Sequence, residues 1–61
     1  MKKRVLERKL MRLGWWKLRE GASHEVWTNG TITEQIPRHS EINEYLARKI
    51  LKTAQTGVRK S

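Results

Sequence analysis

The stretch Ser23-His24-Glu25-Val26-Trp27-Thr28-Asn29-Gly30-Thr31-Ile32-Thr33-Glu34-Gln35-Ile36-Pro37 decides the fold. Two runs rich in β-branched and aromatic residues flank Asn29-Gly30. That pair is the strongest short hairpin signal, because both residues tolerate the positive φ that a two-residue turn demands. Strands are therefore predicted over residues 23 to 28 and 31 to 36. A two-residue turn would pair Thr28 with Thr31, Trp27 with Ile32 and Val26 with Thr33. It puts Trp27, Ile32 and Ile36 on one face, directed at the core. Glu25 and Glu34 fall on that face too and would oppose each other, an unfavourable pair unless it sits at the sheet margin or a bulge shifts the register. His24 belongs to the opposite face, with Val26 and Thr33. Pro37 has no N–H for a ladder and should end the second strand.

Upstream, steps of about 100° per residue from Leu6 bring Leu10 and Leu13 to one side and gather Arg4, Arg8 and Arg12 on the other. An amphipathic helix is predicted over residues 2 to 13, with Gly14 in place for a left-handed C-terminal cap. Met11 falls on its polar side, and the pattern gives no reason for it. Residues 15 to 20 alternate Trp16 and Leu18 with Lys17 and Arg19, as a half-exposed strand does, and Gly21-Ala22 makes a break. Of Trp15, Trp16 and Trp27, at least two are expected in the core of a chain without Phe. Downstream, Asn43 is a natural N-cap and Glu44 suits a first helical turn. From there to about Gln55, Leu46, Ala47, Ile50, Leu51 and Ala54 form an apolar arc opposite Arg48, Lys49 and Lys52. The expected fold is α+β in the order α-β-β-β-α, a three-stranded antiparallel sheet with two helices on one face. Residues 1 to 55 should form a single domain and 56 to 61 a flexible basic tail.

With 61 residues there is room for one thin core, and any chemistry belongs on an open surface. Fourteen Lys and Arg against six Asp and Glu leave a net charge of +8, which points to nucleic acid or an acidic protein as partner. Cysteine is absent, so the fold must hold by packing alone, as suits a cytoplasmic protein. Glu7-Arg8-Lys9 separates Val5-Leu6 from Leu10-Met11, so neither a signal peptide nor a membrane span is expected.

Two histidines and no metal-spaced carboxylate cluster argue against a protein-held metal, and no Gly-rich phosphate loop leads into a helix. No cofactor is expected. Acid/base chemistry by imidazole, assisted by cations, remains. It is enough to break RNA, which carries its own nucleophile: a base takes the 2′-hydroxyl proton, the oxygen attacks the adjacent phosphorus, and cations stabilise the added charge. Histidine suits the proton step because its ordinary pKa of about 6.5 lies near working pH. His24 is the first candidate, with Ser23 beside it for a phosphate oxygen. Lys17 and Arg19, on the strand leading towards it, and Arg38 and His39, which follow Pro37, are the further candidates for contacting RNA, with His39 also a candidate for a second proton transfer. Each also has a plainer role: a strand histidine is commonly a surface or packing residue, His39 suits a loop-fixing hydrogen bond, and basic stripes are solvated helix faces. A non-catalytic RNA-binding module and an interaction protein with an acidic partner are therefore the competing readings.

The motifs, in order, resemble the HicA family of toxin mRNA interferases. They are a leading helix, Gly14-Trp15, then Gly21-Ala22-Ser23-His24 followed by an apolar pair, then Ile36-Pro37-Arg38-His39, and finally Ala47-Arg48-Lys49-Ile50-Leu51-Lys52. Singly they are weak; in this order and at this length they are specific. The family has Gly directly before Ser-His, where this chain has Ala22 with Gly21 one place earlier. The resemblance implies a double-stranded-RNA-binding-domain-like fold and a histidine required for mRNA cleavage at the position of His24. It also implies action without a cofactor and neutralisation by a HicB-type antitoxin. Duplex binders of this architecture grip phosphates with a Lys cluster at the start of the last helix, where this chain has Glu41-Ile42-Asn43-Glu44. Single-stranded or accessible RNA is accordingly the expected substrate.

Overall fold

The computed structural model describes residues 1–56. Its elements are α1 (Lys3–Arg12), β1 (Trp16–Glu20), β2 (His24–Thr28), β3 (Thr33–Pro37) and α2 (Glu44–Thr56). The strands form one antiparallel sheet in the order β1-β2-β3, so β2 is central. This is the expected α-β-β-β-α arrangement. Thr56 belongs to α2, and the rest of the expected tail lies outside the described residues. No helix among the described residues is long and apolar enough to cross a membrane.

Both helices form where their apolar stripes demand. Leu6 and Leu10 of α1 meet Ala47, Ile50 and Ala54 of α2 over Trp27 and Ile36 of the sheet, all of them buried. At about 25 cal/mol per Å² of apolar surface removed from water, such side chains supply most of the stability of a chain this short. Gly14 takes φ +89° and ends α1, as the sequence predicts. The start of α1 has no side-chain cap; the Ser40 carbonyl accepts the Lys3 N–H at 2.9 Å instead. Asn43 caps α2, its Oδ1 accepting the N–H groups of Tyr45 at 2.8 Å and Leu46 at 3.2 Å. A cap of this kind stabilises a helix by about 1 kcal/mol.

The hairpin departs from the expected register. Thr28 pairs with Thr33, Trp27 with Glu34, Val26 with Gln35, Glu25 with Ile36 and His24 with Pro37. Side chains hold a wider turn than Asn-Gly alone prescribes. Asn29 Oδ1 accepts from the N–H groups of Thr31 and Ile32, Thr28 Oγ1 donates to the Ile32 carbonyl, and Gly30 N–H donates to Thr28 Oγ1. Of the turn residues only Gly30 has positive φ, which rules out the two-residue type I′ turn. The slip is two residues, so every side chain stays on its expected face, and Trp27 and Ile36 still point to the helices. It also separates Glu25 from Glu34.

β1 differs more. Trp15, just before the strand, enters the core, while Trp16 and Leu18 are 48% and 53% exposed. Lys17 pairs with Trp27, so the inward position of β1 is cationic, and the register shifts between Lys17 and Arg19 through a bulge at Leu18. That inward cation serves Glu25, which the hydrophobic face of β2 buries. The Glu25 carboxylate accepts from Lys3 Nζ at 3.0 Å and Trp27 Nε1 at 3.1 Å, and Lys17 Nζ lies 3.7 Å away. Lys3 also binds Glu7. Burial pushes the Glu25 carboxyl up, but the Trp27 and Lys3 hydrogen bonds and the Lys3 and Lys17 charges outweigh it and hold it below its ordinary value.

Candidate active site

β2 begins where β3 ends, and the loops at that edge meet the start of α2. Because His24 pairs with Pro37, the chain leaves β3 alongside the entry to β2. Arg38 N–H donates to the Ser23 carbonyl at 3.2 Å and fixes that juxtaposition. Between them opens a cavity of about 260 Å³ lined by Ser23, His24, Pro37 and His39, and by Ile42, Asn43 and Leu46 at the approach to and start of α2. Glu41 also borders it. Ser23, His24 and His39 are all exposed. Two histidines and a serine thus line one solvent-open space together with the apolar residues Pro37, Ile42 and Leu46.

The Gly21–His24 turn that carries His24 is tight. Gly21 N–H donates to the His24 carbonyl at 2.6 Å, and a Cβ on Gly21 would lie 2.9 Å from that same oxygen. Gly21 rather than residue 22 is therefore where this loop requires glycine, and Ala22 is exposed and tolerated. Gly21→Ala is expected to lower stability by about 1–3 kcal/mol, as overpacking against backbone does, and to displace His24. A chemical-denaturation midpoint no lower than that of the parent would show that the turn relaxes freely.

The other sequence-predicted residues are distributed unevenly. Arg38 does not line the cavity; its side chain donates to the Gly21 carbonyl at 3.1 Å, with its other terminal nitrogen 4.0 Å from Glu20. Lys17 points to the helix side of the sheet and binds Glu20 at 2.9 Å as well as Glu25. Its ammonium is held above the usual lysine range, first by the Glu20 hydrogen bond. Glu20 is held below the carboxylate range by Lys17 and then by the Arg38 charge. Arg19 is exposed on β1 opposite Val26. The structure therefore gathers Ser23, His24 and His39, places Arg38 beside them, and brings neither Lys17 nor Arg19 into the cavity. Ile42, Asn43 and Leu46 were not legible as site residues. Their part depends on where the loop after β3 turns, and only the strand register would have signalled it. Among the described residues no group of three or more His, Cys, Asp or Glu is placed to hold a metal.

A family model described as HicA toxin of bacterial toxin-antitoxin matches residues 4–56. No curated protein and no solved structure matches the chain.

Proposed function

The chain belongs to the HicA toxin family of bacterial toxin-antitoxin systems, and from that premise we propose that it is an endoribonuclease that cleaves accessible mRNA at the His24 cavity. What supports this most is the meeting of Ser23, His24 and His39 around one open space. Cleavage by internal transfer needs one group to take the 2′-hydroxyl proton and a second to give a proton to the departing 5′-oxygen. The new bond joins the 2′-oxygen to phosphorus as the bond to the 5′-oxygen breaks, leaving a 2′,3′-cyclic phosphate and a 5′-hydroxyl. His24 and His39 fill the two proton-transfer roles, and the Ser23 hydroxyl and Arg38 guanidinium contact the phosphate. No metal or cofactor enters these steps, since the nucleophile belongs to the substrate.

Membership of a toxin-antitoxin family implies a cognate antitoxin. A HicB-type antitoxin would inhibit by covering the cavity, and the net charge of +8 favours an acidic surface on it.

The test is incubation of the purified protein with a defined single-stranded RNA, with and without excess chelator. Cleavage to cyclic-phosphate ends that chelator does not suppress is expected. Salt-sensitive binding without scission would instead mark a non-catalytic RNA-binding module.

A further inference from the structure

A second surface adjoins the cavity. α2 continues past its first turn with an open groove of about 540 Å³ lined by Tyr45, Arg48, Lys49, Lys52 and Thr53. Tyr45 is 75% exposed, the most exposed of the large hydrophobic side chains among the described residues, and is not part of the core. Three cations line the groove and no carboxylate does. Nearby acids engage them only loosely. Glu44 lies 3.7 Å from Arg48 with both side chains largely solvated, a pairing worth little and open to exchange for phosphate. The Lys49 charge acts on the half-buried Glu34 so weakly that burial still holds that carboxyl above its ordinary value.

An exposed aromatic at the head of a cationic track is what binds single strands: every base has a face to stack, and the cations follow the backbone. We propose that this α2 groove is a subsite for single-stranded RNA, in which Tyr45 stacks on a base flanking the cleaved linkage and Arg48, Lys49 and Lys52 hold the strand. The proposal rests on the reading of the chain as acting on RNA. Position connects the two surfaces. Asn43 and Leu46 line the His24 cavity, and Asn43 Oδ1 also holds the Tyr45 N–H, so one helical turn closes the cavity and opens the groove. From Tyr45 to Lys52 the groove runs along roughly 10 Å of helix, at about 1.5 Å per residue.

The experiment measures binding of the full chain to a 2′-O-methyl oligouridylate of about twelve nucleotides. This probe is weakly self-stacked and has no free 2′-hydroxyl, so it is not consumed. Tyr45→Ala is expected to raise Kd about 5- to 150-fold, the range of one lost base stack, and Tyr45→Phe to stay within about twofold. Arg48→Gln and Lys52→Gln should each flatten the salt dependence by about 0.7 in log-log slope. Thermal melts confirm that the variants fold, and an RNA duplex of equal length should show no sensitivity to Tyr45. Unchanged affinity in Tyr45→Ala, no binding by the parent, or equal loss on single strand and duplex would each overturn the proposal. So would weakened binding to an acidic polypeptide with RNA affinity intact, which would assign the groove to a protein. Because the probe cannot be cut, a parent that binds it through Tyr45 but fails to cleave ordinary RNA sinks the nuclease reading alone. Intact cleavage with an indifferent Tyr45 sinks the groove alone.

Discussion

His24→Ala is expected to fold and bind RNA as the parent does while losing cleavage by about a hundred- to ten-thousandfold, the usual worth of a positioned acid or base. The fold should survive because the side chain is exposed at the end of β2, and both the pairing with Pro37 and the carbonyl that Gly21 contacts are backbone features. Binding should survive because the cations that hold phosphate lie on other residues. His39→Ala should give a loss of the same order if the two imidazoles divide the proton transfers. A substrate with sulfur in place of the 5′-oxygen tells the roles apart, since a thiolate departs without a proton. The variant lacking the acid recovers most of its rate on that substrate, and the variant lacking the base does not. Undiminished cleavage by His24→Ala would remove His24 from the mechanism.

The second large effect concerns Glu25, next in sequence but on the opposite face of the sheet. Lys3→Met leaves a buried carboxylate with only the Trp27 N–H and a Lys17 ammonium 3.7 Å away. Removing one partner of a buried pair costs about 3 kcal/mol or more. Domains carry roughly 0.05–0.15 kcal/mol of stability per residue, so this is a large share of the total for a chain of this size. The melting temperature should fall by about 15 °C. Glu25→Leu is expected to cost less, because Lys3 keeps Glu7 and reaches solvent more readily. The double variant Lys3→Met/Glu25→Leu should be more stable than Lys3→Met, since apolar side chains of similar size satisfy a buried site without desolvating charge. Additive losses in urea titrations would refute the coupling.

The same network sets the pH range of stability. The Glu25 carboxyl is held below its ordinary 4.5, so its contribution is present above that value and is lost as pH falls through the lower folded one. For Lys3, burial lowers the pKa but the Glu7 and Glu25 hydrogen bonds outweigh it and raise it above 10.5. Its contribution is therefore complete below 10.5 and is lost as pH rises beyond the folded value. The parent should lose more stability than the double variant on going from neutral pH to about pH 3.

Helix faces were legible in the sequence because their information is local. Leu6, Leu10, Ala47, Ile50 and Ala54 lie inward as their spacing requires, and Gly14 and Asn43 stop and start helices by their own chemistry. β1 was not legible in this way. Trp16 and Leu18 alternate with Lys17 and Arg19 as a core-facing pair would, and nothing local reveals that Trp15 takes the core position or that Lys17 turns inward to Glu25. The inward lysine makes sense only once Glu25 is known to be buried, and the carboxylate is tied to Lys3, a residue of α1. At the site, His24 was visible as a residue type, whereas its company was not. The expected register opposes His24 to Gln35, and the observed one opposes it to Pro37, bringing His39 to within two residues of the pair. The two-residue shift comes from Asn29 accepting the Thr31 and Ile32 N–H groups, a choice between turns of similar composition.

Lys2 bridges to Glu41, and α1 packs on α2 across the whole length of the sheet between them in sequence. The apolar stripe of α1 is synthesised before its cover, Ala47, Ile50 and Ala54 of α2, with the whole sheet between them. A nascent chain therefore carries Leu6 and Leu10 without that cover while the sheet is being made, and completes its core only when α2 emerges. If the cavity is the working site, its α2 wall arrives in that same step, so a ribosome making this protein would be spared its activity until α2 has emerged.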